Sequence, residues 1–285
     1  MHMNQKSILI LAYRDLKIRP VKSKTLELLS FLLWSAEQLT RPTVRNLTDS
    51  FESWTYRNGL LQELASLEKQ QLLERVSADS GDRLYRLTSQ GRLAALGGRD
   101  PEAEWSRSWD GRWRLVIFDV PMARNAHRQR LRRYLRERGF GFLQKSVWIT
   151  PDPLKQEREL LAGAKTDVTS LFILEGKPCA GESNTEIISA AWDFERINLG
   201  YSRHLQILAR QPEGSINDAT SAKSLHQWAA EEREAWLSAV SSDPLLPKRL
   251  LPDGYLGTEA WRKRVAVLAR ARKRLDTFDS LAMDT

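Results

Sequence analysis

The chain has 285 residues, 41% hydrophobic and 28% charged, which exceeds one typical core and fits two or three domains. Its formal charge of +8 and sequence pI near 9.7 favour polyanionic partners. A single cysteine, Cys179, excludes an internal disulfide and a cysteine-based zinc site, and no apolar run approaches the roughly 20 residues of a membrane span.

The charge is uneven. Residues 1–100 hold 15 Lys and Arg against 11 Asp and Glu, residues 101–180 hold 15 against 10, and residues 181–285 hold 14 against 15. The basic excess therefore lies in the first two thirds. The N-terminus lacks the charged start, apolar stretch and cleavage site of a signal peptide, so a reducing cytoplasm is the expected location.

In chain order, Thr25–Ser35 places Leu26, Leu29 and Leu33, with Leu28 and Leu32, at three- and four-residue spacing, which predicts an amphipathic helix. Pro42 opens a short helix over Val44–Asp49, with Thr43 and Arg45 near its start. Ser53 caps a longer helix, Trp54–Lys69, whose Leu60, Leu61, Leu64 and Leu67 form a buried stripe. Leu72–Val76 and Arg83–Leu87 read as strands joined by the Gly- and Asp-containing turn 78–82, and Thr88-Ser89-Gln90-Gly91-Arg92 begins another helix.

Helix, short helix, longer helix and two-stranded ribbon are the order of a winged helix-turn-helix. A helix of this kind fits the major groove of duplex DNA while the ribbon lies against the backbone. Thr55, Tyr56, Arg57 and Asn58 head the proposed recognition helix, Thr43 and Arg45 precede it, and Arg83 and Arg86 put positive charge on the wing. A helical protein–protein module with a hairpin is the competing interpretation of the same pattern.

Gly97-Gly98-Arg99-Asp100-Pro101 reads as a linker. Beyond it, Trp113–Phe118 is a β-rich run ending at Asp119-Val120-Pro121. A helix over about 123–138 holds arginines 124, 128, 130, 132, 133, 136 and 138, with Leu131, Tyr134 and Leu135 spaced to pack on a sheet. Phe142–Thr150 reads as a second strand, Glu157–Ala164 as a helix and Val168–Leu174 as a third strand, in the β-α-β-β-α-β style of a ferredoxin-like sheet. The rest is helical: Ile187–Arg210, Ser224–Val240, a proline-rich bend over 243–252, and a last helix from Thr258 to Phe278. The fold class is thus α+β, with a winged helix over 1–98, a ferredoxin-like domain over 104–180 and a helical domain over 181–285.

Four stretches resemble the PaaX family of repressors. They are Trp109 through Pro121, Gly139 through Ile149, Ala191-Trp192-Asp193-Phe194-Glu195 with Tyr201, and Asp243 through Pro247 with Leu250-Leu251-Pro252. The resemblance spans nearly the whole chain in motif order, although Tyr255 stands where many members have Trp. It implies a homodimeric repressor that binds palindromic operator DNA through its winged helix. It also implies that a small-molecule effector releases the DNA, an aryl-acyl coenzyme A thioester being the best-known example. For such a ligand, Arg128 and Arg132 are the candidate phosphate partners, and Trp148, Trp192 and Tyr201 the candidate stacking partners.

The central segment also resembles the small CRISPR-associated nuclease subunit, in which an Asp at the end of the first strand binds metal. Asp119 occupies that position, and a Mg²⁺ there would activate water for phosphodiester cleavage. The competing role for Asp119 is to cap the arginine-rich helix at its positive end or to pair with an arginine. His2, His127, His204 and His226 lack metal-ligand spacing, and no nucleotide-binding lysine loop occurs. The expectation is a regulator without catalysis, cofactor or resident metal.

Overall fold

The computed structural model describes residues 60–77, 83–119, 125–154, 171–214 and 219–283. The expected helices at 25–35, 44–49 and 157–164 and the wing turn at 78–82 lie outside the described residues. Two compact units are present, each built from segments distant in sequence. One gathers the described residues of 101–199 with 242–255; the other gathers 60–100 with 200–241 and 256–283.

The second unit begins with α1, Leu60–Lys69, whose Leu64 and Leu67 are fully buried as the stripe predicts. Gln71 takes a left-handed conformation (φ 59°), which lets Leu72 N–H bond back to the Leu67 carbonyl at 2.9 Å and turns the chain into a hairpin. That hairpin pairs β1, Leu73–Ser77, antiparallel with β2, Arg83–Leu87, in the register Leu73 opposite Leu87 and Arg75 opposite Tyr85. Thr88 then caps α2, Ser89–Ala95, its hydroxyl accepting from Gly91 N–H at 3.0 Å while donating to the Gln71 carbonyl at 2.7 Å. Helix end, hairpin and next helix are knitted at one point.

The stretch expected as a linker is ordered. Gly97 (φ 80°) and Gly98 stop α2 with bonds to the Ala94 and Leu93 carbonyls, and Pro101 begins a short helix, α3, Pro101–Ser106. Proline suits a first helical position because the N–H it lacks has no partner there anyway.

The first unit holds a four-stranded antiparallel sheet. Its strands are β3, Trp113–Phe118; β4, Gly141–Gln144; β5, Val147–Thr150; and β6, Leu171–Gly176, in the spatial order β4-β5-β3-β6. Between β3 and β4 lies α4, Asn125–Glu137. Strands β3 and β4 run parallel with β5 inserted between them, which is the split β-α-β of a ferredoxin-like sheet. The run 142–150 is therefore two strands rather than one. They are joined at Lys145-Ser146, where Lys145 adopts φ 44° and supplies the turn that no glycine or asparagine announces.

Each sheet face has its own core. Val116, Phe118, Trp148 and Leu171 pack beneath Leu131 and Leu135 of α4. On the opposite face, Trp113 and Ile149 pack against α5, Asn184–Ala191, and against Leu246 and Leu250 of the proline-rich bend. Gly141 admits this approach, since a Cβ there would lie 2.6 Å from Ala191 Cβ and 2.7 Å from the Trp192 ring.

The long helix expected over 187–210 is broken. α5 ends at Ala191, and α6, Phe194–Leu208, restarts with the Asp193 carboxylate accepting from Arg196 N–H at 2.9 Å. A capping box opens α5: Ser183 accepts from Glu186 N–H, and Glu186 accepts from Ser183 N–H, which holds the Glu186 carboxyl below its usual range.

Inside the bend, Asp243 is buried. It accepts from Leu245 N–H at 2.7 Å and from the Tyr255 hydroxyl, which in turn accepts from the Trp105 indole at 3.2 Å. The phenol at position 255 is thus a relay that an indole could not reproduce, because indole donates only.

The helical part of the second unit comprises residues 200–208 of α6, α7 (Ala219–Ser242) and α8 (Gly257–Met283). Leu208, Leu225, Trp228, Val267 and Ala271 make its apolar cluster. Beside Trp236 lies a fully buried polar triad in which Glu232 accepts from Arg264 Nε at 2.6 Å and from His204 Nε2 at 2.8 Å. Burial opposes the charge on Glu232, yet the Arg264 cation and the His204 hydrogen bond outweigh it and hold the carboxyl below its usual range. No helix among the described residues is long and apolar enough to cross a membrane.

Candidate nucleic-acid interface and ligand residues

The hairpin module presents its charges on a rigid base. Leu64, Leu67, Leu72, Leu73 and Tyr85 are buried within it, so Arg75 and Arg86 project from a fixed ribbon. Arg86 Nε donates to Glu74 Oε1 at 2.6 Å across the strands, and Arg75 Nη2 donates to Glu68 Oε2 of α1 at 3.1 Å. Both pairs are solvent-exposed, where an ion pair is worth only about 0–1 kcal/mol. A phosphate can therefore replace either glutamate at little cost. Sequence reasoning missed these acidic partners, because the cross-strand register that joins Glu74 to Arg86 emerges only once the hairpin is formed.

Of the expected DNA-contacting residues, Thr43, Arg45, Thr55, Tyr56, Arg57 and Asn58 lie outside the described residues. Arg83 opens β2 opposite Ser77. Arg86 stands exposed on the ribbon, two residues before the Thr88 cap.

Of the five residues expected to bind an effector, four lie in the first unit and Tyr201 in the second. Arg128 and Arg132 are half-buried on α4, and Arg132 Nη2 donates to the Lys145 carbonyl at 3.1 Å. Trp148 is buried in the core under α4, while Trp192 belongs to the core on the other sheet face and donates its indole N–H to the Gly139 carbonyl at 3.1 Å. These two rings face opposite sides of the sheet and build no common stacking pocket. Tyr201 is fully buried in the second unit beside Trp236.

Asp119 is exposed just after β3. Among the described residues no three His, Cys, Asp or Glu side chains are grouped to hold a metal ion.

At the start of the sheet a buried guanidinium organises the surface. Arg114 donates to Glu175 Oε2 at 2.9 Å, to the Pro151 carbonyl at 3.1 Å and to both oxygens of Asp110. The hydrogen bond from Arg114 holds the Asp110 carboxyl below its usual range, and those from Arg112 and then Arg114 do the same for Glu175. Arg107 plays a similar part nearby, bridging Glu104 at 2.9 Å, Asp152 at 2.8 Å and the Leu245 carbonyl. Both arginines are committed to structure.

A four-stranded split β-α-β sheet with an arginine-rich helix on one face defines a protein with a Cas2-like central domain. Residues 106–188 match the family model described as the PaaX protein central Cas2-like domain. Among solved structures the chain is similar to the uncharacterized protein Rv0674 from Mycobacterium tuberculosis, at 19% identity and TM-score 0.57, covering 90% of this chain and 99% of that one. That likeness concerns the fold alone. No curated protein gives a significant match.

Proposed function

We propose that this protein is a DNA-binding transcriptional repressor that acts as a homodimer on operator DNA and is released by a small-molecule effector such as an aryl-acyl coenzyme A thioester. The observation that carries the reading is a PaaX-type central domain in the same chain as a helix–ribbon–helix module with exposed arginines on its ribbon. The hairpin rests on the end of α1, as a wing rests on a recognition helix, and Thr55–Asn58 are the residues assigned to base edges. Phosphate contacts supply most of the affinity, so binding falls steeply with salt. Release by effector is linkage: a ligand that prefers the non-binding conformer lowers operator affinity by its differential affinity for the two states. The protein is assigned no catalytic role.

The test is fluorescence anisotropy on DNA from the gene's own upstream region, with scrambled DNA as the reference, before and after adding acyl coenzyme A thioesters. The reading requires preference for the upstream region and release by a thioester. Arg57→Ala is expected to cost about 1–3 kcal/mol of operator affinity through a bidentate base contact. Equal binding to both duplexes at moderate salt refutes the function, and unchanged affinity of Arg57→Ala removes that residue from the reading surface. Incubating DNA with the protein and Mg²⁺ addresses the nuclease alternative, for which cleavage abolished by Asp119→Ala is the required result.

A further inference from the structure

We propose that the α4 face carrying Arg133 and Arg136, with Lys145 on the adjacent β4–β5 turn, is a second contact surface, one that takes the phosphates of duplex DNA. This extends the proposed function to the central domain, and it requires no reading of base sequence.

Helix α4 places Arg128, Arg130, Arg132, Arg133 and Arg136 within thirteen residues, with Glu137 as its one acid. Arg128 and Arg132, like Arg132 and Arg136, are four apart; Arg130 and Arg133, like Arg133 and Arg136, are three apart. All four are like-charge neighbours on the helix surface, and each works against the helix. The first turn holds Arg128 and no acid, the reverse of what the helix dipole favours. The sheet contact explains none of this, because Leu131 and Leu135, with Tyr134 beside them, carry the contact with the sheet core. A polyanion on this face relieves the repulsions that involve Arg133 and Arg136.

Two local features hold the cations in place. The Arg136 guanidinium sits over the Trp148 ring, 5.8 Å from its centroid, and Trp148 is fixed in the core. Arg132 ties the helix to the turn through the Lys145 carbonyl, and Lys145 keeps φ 44°, a left-handed conformation that Gly or Asn adopts more readily. The turn thus places an exposed ammonium at a conformational cost, next to the helix that carries the arginines. Arg133 is 73% exposed, and its Glu137 neighbour stands off at 4.0 Å, so the guanidinium is available.

Length favours a polymer over a small ligand. From Arg130 to Arg136 the helix advances about 9 Å, the axial span of two to three phosphates on one DNA strand. The pyrophosphate of a coenzyme is more compact than such a row.

The experiment compares the full-length protein with the triple variant Arg133→Gln/Arg136→Gln/Lys145→Gln, by anisotropy on the upstream duplex and on a scrambled duplex across a salt series. For three phosphate contacts at about 0.9 ions each, the affinity lost between about 50 and 200 mM salt shrinks by a factor of about 40 in the variant. The ratio between the two duplexes stays as in the wild type. Affinity and salt slope unchanged from wild type overturn the proposal. So does intact DNA binding with weakened binding of an acyl coenzyme A thioester, which assigns the surface to a small phosphorylated ligand. Lys145→Asn guards against a folding artefact: it eases the turn, so a raised melting temperature with a salt slope shallower by about one is expected, and an unchanged slope counts against the surface. Should the wild type bind both duplexes equally while the variant still flattens the slope, the repressor function fails and this surface stands.

Discussion

Replacing Glu232 with Gln removes the carboxylate charge paired with Arg264 inside the second unit. Glu232 is 1% exposed and receives Arg264 Nε at 2.6 Å, Arg264 Nη2 at 3.2 Å and His204 Nε2 at 2.8 Å, so no water takes over its role when the carboxylate is lost. Breaking one partner of a buried ion pair costs about 3–5 kcal/mol, because the surviving charge stays buried after losing its counter-charge. At about 2–4 °C per kcal/mol, the transition that contains α6–α8 drops by about 6–20 °C in differential scanning calorimetry. The pH dependence has a definite sign. The folded carboxyl titrates below its ordinary value of 4.5, so at acid pH the unfolded chain binds the extra proton. The contribution of Glu232 is complete above about pH 4.5 and is lost as pH falls through the depressed folded value. Glu232→Gln lacks that part of the acid slope. The double variant Glu232→Leu/Arg264→Met, which removes both charges and keeps volume, returns to within about 1–2 kcal/mol of wild type. A Gln variant that melts within about 2 °C of the parent refutes the triad as a structural element, as does a double variant no better than the single.

Two further predictions concern packing and electrostatics. Gly91→Ala places a Cβ 1.9 Å from the Leu72 carbonyl oxygen, the same oxygen that accepts from Thr88 N–H, so it separates α2 from the hairpin. A loss of about 1–3 kcal/mol or more is expected, with faster amide exchange in β1 and β2; exchange like wild type excludes that close approach. Arg114→Met leaves Asp110 without the guanidinium that holds its carboxyl low. Its pKa by carboxyl NMR rises toward the usual range and the sheet loses about 1–3 kcal/mol, whereas an unmoved Asp110 titration removes Arg114 as the cause.

Where one period governed a whole element, the sequence was sufficient. The alternation of Trp113–Phe118, the Leu131 and Leu135 spacing under an arginine-rich face, and the stripe of Leu64 and Leu67 all led to the elements found. Errors arose where one local residue decided the chain's direction. Lys145 turns β4 into β5 in a conformation that its side chain does not advertise, so a hairpin read as one strand. Asp193 restarts a helix within an unbroken apolar period, because Trp192 serves the sheet core rather than the helix stripe. Pro101 read as a breaker although it stands at a helix start. The candidate site was legible as charge but not as pairing: Glu74 and Glu68 reach the wing arginines only through the folded register. The Glu232 triad joins residues 28 and 32 positions apart on three helices, beyond the reach of any local pattern.

The composition of the second unit bears on how the proposed repressor would be switched. The hairpin module shares its compact unit with α7 and α8, and the chain leaving α2 is bound there directly. Leu237 of α7 lies where a side chain on Gly97 would project, and Arg99 Nη1 donates to the Val240 carbonyl at 3.2 Å. Glu232 and Trp236 lie on the same helix one to two turns before Val240, so the buried triad and the chain leaving α2 are held by one helix. Under the proposed function, a ligand that favours a different position of α7 is then linked to the wing by its differential affinity for the two positions, with no relay through the central sheet required. The basic helix α4 belongs to the other unit. Under the two proposals the variants separate: the α4 and turn substitutions are expected to change the salt slope, and Arg57→Ala the operator affinity.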